Sequence, residues 1–433
     1  MNFERLVNFS IQDALAENSQ REAVESSYTN TNPAFIEIRK SRSVLLLQGP
    51  VGPMFVKLAN WLEKKGTRVH RVIFNGGDAW DSRSIPKKKL TYFDMPMKSW
   101  PSTFERLCFS QSVNTVVLFG QTRPCHEPII GLAKKMGLKV VVVEEGYFRP
   151  GFATFELGGV NGYSDTLERF TWKSLTKNSQ DLKPNVSKFE FFKTCWHATM
   201  YYVFLCLQHG RFSKYEHHRE TSFLKYTKYW LNSWKVKLQR SRPDRDLFES
   251  IRETKKGFFF VPLQVEGDSQ LTHHSRFKCL SVFIELVIHN FAKHAQSEDL
   301  LLFRQHPMSR GGVGNEKSIH ALASKLGIRQ RVFCVWEGDN PSILDACQGV
   351  VTVNSTVGLQ ALKRGKPVKV LGQALYDLPG VSAQQKLEEF WAKPQKPDPE
   401  VTSHFLQQLK QLTQVPCSIY ANANEPWPFL KAE

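Results

Sequence analysis

TVVLFGQTRPCHEPIIGLAKKMGLKVVVVEE, residues 115–145, is the stretch on which the fold turns. Thr115–Phe119 is a short apolar run rich in β-branched residues. Glu127–Met136 then carries its apolar residues at helical spacing. Leu138–Glu144 closes the stretch with four consecutive valines. Short apolar runs of this kind read as strands buried on both faces, and a helix between two of them makes a parallel βαβ unit.

The same grammar extends outward on both sides. Ser43–Gln48 and Val69–Phe74 read as strands before it, with helices over Met54–Lys65 and Thr103–Ser110. A second series follows Lys256: strands at Gly257–Leu263, Leu300–Arg304, Arg331–Val335, Gly349–Val353 and Pro367–Leu371, with helices at Phe277–His294, Lys317–Leu326 and Val357–Arg364. The expected class is α/β, with two Rossmann-like domains at residues 41–184 and 256–382 facing each other across a cleft, the GT-B architecture. Residues 1–40 are polar and weakly periodic and read as an arm. Residues 185–255 show no strand signal and read as one helical insertion. Residues 383–433 read as C-terminal helices with proline-rich breaks.

Composition narrows the partners. The chain has 433 residues, enough for two ordinary domains, and 41% hydrophobic residues, enough to bury their cores. Its formal net charge of +17 calls for acidic partners: nucleic acid, an anionic membrane face, or phosphorylated or carboxylated small molecules. Positive charge concentrates in Gln208–Arg240, where eight Lys/Arg meet two Glu among interleaved tyrosines and tryptophans. Such a segment suits an anionic lipid surface, with a solvated helix face as the plainer role. No recognised nucleic-acid module accompanies it. The eight cysteines lack metal-ligand or disulfide spacing, and MNFERLVNFSIQDALAENSQ lacks a signal pattern, so a cytosolic protein is expected.

Ligands of parallel sheets sit beyond the carboxyl ends of strands, so the segments after each strand hold the candidate site. After the first strand, GPVGPMF (residues 49–55) offers Gly49 and Gly52 for a tight turn or for close approach of a phosphate to backbone amides. After the valine strand, EEGYFRPG (residues 144–151) presents Glu144 and Glu145 as acid/base candidates and Arg149 as an anion-binding fork. A structural bridge between a glutamate and Arg149 is the competing role; Glu145, beside the glycine, is slightly favoured. QVEGDSQL (residues 264–271) holds Asp268, with Gln264 and Gln270 around it, as a nucleophile or electrostatic stabiliser, or as a helix cap. RQHP supplies Arg304 and His306, and NSTVG supplies Asn354, Ser355 and Thr356 at a helix start, for a phosphate or carboxylate. Carboxylates contributed by both domains are what chemistry through an oxocarbenium-like state uses.

EEGYFRPGFATFELGGVN, LQVEGDSQL, FRQHP and VNSTVGLQALKRGKPVKVLGQALYDLPG, with GPVGP upstream, resemble the capsule polysaccharide synthesis/export family. More narrowly they resemble its KpsS-type members, retaining β-Kdo transferases of Gram-negative bacteria. The likeness covers roughly 43–172 and 257–385. It implies CMP-Kdo as donor and phosphatidylglycerol as acceptor, the first step of the poly-Kdo lipid linker, at the inner face of the inner membrane beside other capsule synthesis and export proteins. It implies double displacement on Asp268, an acid/base role for Glu144 or Glu145, and CMP binding by His306, Asn354, Ser355 and Thr356. Gln360 stands where many transferases of this architecture carry a ribose-binding glutamate. A monophosphate-linked donor asks for no diphosphate loop or metal cofactor, and no DxD motif occurs. A non-catalytic membrane adaptor and a nucleotide-sugar epimerase are the competing readings.

Overall fold

The computed structural model describes residues 32–170, 190–216, 223–266, 275–277, 279–312 and 314–419. The chain divides into two compact units, Met1–Thr221 with Gln408–Glu433, and Ser222–Gln407.

The first unit is built on seven strands: β1 (Ser43–Leu46), β2 (Arg68–Ile73), β3 (Leu90–Tyr92), β4 (Thr115–Phe119), β5 (Lys139–Glu145), β6 (Phe152–Leu157) and β12 (Gln414–Pro416). Their order is β12-β6-β5-β4-β1-β2-β3. From β3 to β5 neighbours run parallel, whereas β6 and β12 add an antiparallel edge. The four valines explain themselves at this level. Val141 and Val143 pack with Phe35 and Ile38 of α1 (Pro33–Lys40) and Phe55 and Leu58 of α2 (Met54–Lys64). Val140 and Val142 pack on the opposite side with Trp100 and Phe104 of α4 (Trp100–Ser110) and Ile129 of α5 (Glu127–Lys135). Side chains alternate across a strand, so helices on both faces demand an apolar residue at every position.

Three boundaries differ from those expected. Part of the 1–40 arm, α1, belongs to the core, capped by Asn32, whose side chain accepts from the amides of Ala34 and Phe35 at 3.0 and 3.2 Å. The 185–255 segment carries two helices among the described residues, but it is not one body. Helix α6 (Glu190–Leu207) joins the first unit, packed on α3 (Gly76–Asp81): Trp80 stacks on Phe204 at 4.1 Å, and the Tyr201 hydroxyl donates to Asp78 at 3.0 Å. Helix α7 (Phe223–Glu253) joins the second unit, where Asp244 accepts from the amides of Trp336 and Glu337 at 2.8 and 2.9 Å. Composition and periodicity alone do not reveal such buried polar anchors. Finally, the tail is not wholly helical, because β12 returns to pair with β6.

The second unit has a five-stranded parallel sheet of β7 (Phe258–Pro262), β8 (Leu300–Arg304), β9 (Val332–Val335), β10 (Gly349–Thr352) and β11 (Val368–Val370), in the order β11-β10-β7-β8-β9. Its helices include α8 (Leu280–His294), α9 (Glu316–Lys325), α10 (Asn340–Ala346), α11 (Thr356–Leu362), α12 (Leu387–Ala392) and most of α13 (Pro399–Thr413). Trp391 anchors the core edge-on to Phe259 at 4.8 Å and Phe291 at 5.3 Å. The chain thus has the expected α/β class, two Rossmann-like units.

Candidate functional site

In the first unit, strand alternation separates the two glutamates that end β5. Glu145 is exposed and ion-paired with Arg149, so the structural bridge anticipated for this loop forms there. Glu144 is half-buried and accepts from Asn161 Nδ2 at 3.0 Å. Asn161 has φ +56°, a left-handed conformation that asparagine tolerates better than most residues. Its amide donates to the Tyr147 hydroxyl at 2.8 Å, and that hydroxyl donates to Glu156 at 2.6 Å. Glu156 is 2% exposed and also accepts from the hydroxyls of Ser164 and Thr166. Burial pushes its carboxyl up, and those donors pull it back. Burial, and then the neighbouring Glu156, push the Tyr147 phenol up.

The hairpin that carries these groups is braced from the tail. Gln414 Nε2 on β12 donates to Thr154 Oγ1 at 2.9 Å, and Thr154 Oγ1 donates to the Glu145 carbonyl at 3.2 Å. Gly146 is required by a close approach: a Cβ there would stand 2.4 Å from the Phe152 carbonyl oxygen. Sequence reasoning placed no strand between Glu144 and the second series and did not single out β6, Tyr147, Glu156 or Asn161. The signal was present: Phe-Ala-Thr-Phe-Glu-Leu lies between Pro150-Gly151 and Gly158-Gly159, a strand composition between turn residues.

The GPVGP segment serves its own unit. The Gly52 amide donates to Asp81 at 2.9 Å, and the Gly49 carbonyl accepts from Arg123 at 2.9 Å. Beneath lies a buried charged cluster of Arg71, Asp78 and Asp81. Asp78 accepts from Gln48 Nε2 at 3.0 Å, from the Phe74 amide at 3.1 Å and from Tyr201. Burial pushes the Asp81 carboxyl up to about 7 against the opposing Gly52 amide and Arg71. The amide that could have met a phosphate is therefore engaged by a carboxylate.

In the second unit, three candidate segments lie at the carboxyl ends of adjacent strands, β8, β7 and β10. Gln264 Nε2 donates to Asn354 Oδ1 at 2.9 Å, joining positions ninety residues apart. Gln264 Oε1 is buried and has no hydrogen-bond partner among the described residues. Asp268 lies outside the described residues, as does the rest of 267–274. Ser355 caps α11, its hydroxyl accepting from the Val357 amide at 3.2 Å, and its carbonyl accepts from Tyr376 at 2.6 Å. Gly358 is required here as well, since a Cβ would lie 2.4 Å from the Tyr376 hydroxyl. Thr356 opens α11, which is seven residues long, so its dipole is a modest source of positive potential.

The basic segment after β8 is more committed than its composition suggests. Arg304 Nη1 donates to Asn340 at 2.8 Å, and burial pulls its guanidinium down from its ordinary value. Arg310 donates to Glu337 at 2.8 Å. His306 Nδ1 accepts from the Met308 amide at 3.1 Å, capping the Pro307–Ser309 turn.

The family model for capsule polysaccharide biosynthesis proteins matches residues 114–420. The Escherichia coli capsule polysaccharide export protein KpsS is 34% identical over 89% of this chain and 99% of its own length. The capsule polysaccharide modification protein LipB of Neisseria meningitidis serogroup B is 32% identical over 90% of this chain and 94% of its own. Among solved structures, the Thermosulfurimonas dismutans KpsC β-Kdo 2,7 transferase aligns at 11% identity and a TM-score of 0.37, over 84% of this chain and 98% of that one. On the sequence matches, the chain belongs to the capsule polysaccharide biosynthesis protein family.

Proposed function

We propose that this protein is a retaining glycosyltransferase that moves β-Kdo from CMP-Kdo to phosphatidylglycerol, starting the poly-Kdo lipid linker of a capsular polysaccharide. The observation that carries the reading is the buried Gln264–Asn354 pair, whose Gln264 Oε1 has no hydrogen-bond partner among the described residues, at the carboxyl edge of a parallel sheet in a capsule-family chain. An orphaned buried acceptor costs stability unless something donates to it, and a hydroxyl of the donor substrate would do so. His306, Asn354, Ser355 and Thr356 would hold the CMP moiety, with Arg304 adding charge. Asp268, on the segment that follows Gln264, would attack the anomeric carbon as CMP leaves. Glu144 or Glu145, the carboxylates that end β5, would serve as the acid/base that takes the proton of the acceptor hydroxyl.

The test is mass spectrometry of a phosphatidylglycerol analogue incubated with the purified protein and freshly generated CMP-Kdo. One added Kdo per acceptor is the expected product. No addition, with vesicle binding retained, would replace this reading by the adaptor; an isomerised donor would replace it by the epimerase.

Attachment to the cytoplasmic face of the inner membrane is part of the proposal. No helix among the described residues is long and apolar enough to cross a membrane. Helix α7 instead exposes Trp230 (40%), Leu231 (66%), Trp234 (46%) and Leu238 (76%). At helical periodicity these fall within an arc of about 100°. Exposed Lys237 flanks one side and exposed Lys235 and Arg242 the other. Each cation near an anionic lipid surface contributes about 1 kcal/mol. The double variant Lys235→Ala/Lys237→Ala is therefore expected to bind anionic vesicles about 30-fold more weakly in co-sedimentation, while binding to neutral vesicles is unchanged. Equal loss on both vesicle types would remove the electrostatic part of this attachment.

A further inference from the structure

We propose that Glu144 is the acid/base carboxylate and that a buried Glu156–Tyr147 pair, acting through Asn161, holds it in its working position. The catalytic half rests on the transferase reading; the positioning half rests on geometry alone.

Three observations converge on Glu144. Strand alternation places it opposite Glu145, which is exposed and occupied by Arg149. It is partly withdrawn from water, which suits a group that must exchange a proton near neutrality. It is also joined to a continuous chain of hydrogen bonds: Glu156 accepts from Tyr147, Tyr147 accepts from the Asn161 backbone amide, and Asn161 Nδ2 donates to Glu144.

The network is costly for a purely structural device. Burying the Glu156 carboxyl at 2% exposure carries a desolvation penalty, and an apolar side chain of similar volume would fill the space without it. What the carboxylate adds is direction. It fixes the Tyr147 hydroxyl, which accepts from the Asn161 backbone amide. Asn161 is thereby held in its left-handed conformation, with its side-chain amide on Glu144. The register supports this, since Glu156 pairs with Val142 and Thr154 with Glu144, so anchor and target share one hairpin. Glu144 is the group that would touch substrate; Asn161, Tyr147 and Glu156 act through it and are positioning residues.

The experiment compares the full-length protein with Asn161→Gly and Tyr147→Phe. Glycine keeps the positive φ and the backbone amide, so Asn161→Gly removes the side-chain amide without disturbing the turn. Carbon NMR of glutamate labelled at Cδ, assigned with Glu144→Gln, follows the Glu144 carboxyl through a pH titration. Its midpoint is expected to rise in Asn161→Gly, because a donor to the ionised form is lost, and to rise less in Tyr147→Phe. In the transfer assay kcat is expected to fall 10- to 100-fold with KM within about twofold, and Glu144→Gln to abolish transfer. An unmoved midpoint in a folded Asn161→Gly variant would overturn the positioning. Wild-type transfer by Glu144→Gln would overturn the catalytic assignment. A moved midpoint in a protein that transfers nothing would keep the positioning and discard the transferase reading.

Discussion

Asp268→Ala is expected to lower kcat for Kdo transfer at least about 10⁴-fold, with KM for CMP-Kdo within a few-fold of wild type. The size follows from the role. A covalent nucleophile divides one difficult displacement into two easier ones, and alanine offers no atom to form the intermediate. The donor would still be held by groups on other strand ends, so binding should survive what chemistry does not. The neighbours fit such a split: Gln264 is anchored to Asn354 on the next strand end. Stopped-assay mass spectrometry of product, with donor binding measured by calorimetry, separates the two quantities. A loss of less than tenfold in kcat would mean that Asp268 is not the nucleophile, and a direct displacement would take its place. A parallel loss of binding would make Asp268 a donor-holding residue instead.

The second large effect concerns Asp81 and pH. Its carboxyl is pushed up to about 7, chiefly by burial, from an ordinary value of 3.8. Below about pH 4 the carboxyl is protonated both folded and unfolded, and the full stability is present. Between about pH 4 and 7 the unfolded chain ionises while the folded one keeps its proton, so stability is lost as pH rises, by up to about 4 kcal/mol. Asp78 shifts in the same direction, while buried His126, pulled down to about 3, contributes with the opposite slope. A comparison with Asp81→Asn cancels those shared terms. Asparagine can still accept from the Gly52 amide but cannot ionise. The stability of Asp81→Asn relative to wild type should therefore grow by a few kcal/mol from pH 4.5 to 7.5 in urea unfolding monitored at both values. A difference that does not change with pH would show that Asp81 is already ionised in the folded protein. The outcome also bears on Arg71, a fully buried guanidinium whose Nε and Nη1 have no hydrogen-bond partner among the described residues. Asp78 and Asp81 are the two carboxyls whose charge acts on it.

This cluster shows why the GPVGP loop was hard to read. Glycines after a first strand signal close approach, but not whether a phosphate or a carboxylate makes it. The side chain that takes the Gly52 amide, Asp81, comes from α3, and helix α6 closes over the same cluster through Tyr201. Nothing local to residues 49–55 encodes either partner.

What the sequence determined by itself was the alternation of strand and helix and the segments where chemistry could sit. Burying a strand on both faces imposes an unbroken apolar run, and that requirement is local, so VVVV and GFFFVPL were legible without any partner. Turn residues after each strand likewise marked Glu144, Gln264, His306 and Asn354. Tertiary structure decided what depends on contacts between distant positions. It assigned α6 and α7 to different units through Tyr201 and Asp244. It paired β6 both with β5 and with a tail strand some 260 residues away. It also separated two adjacent glutamates, giving one to Arg149 and the other to Asn161. Hydrogen bonds of this kind are set by distance and angle in space, which sequence spacing does not carry.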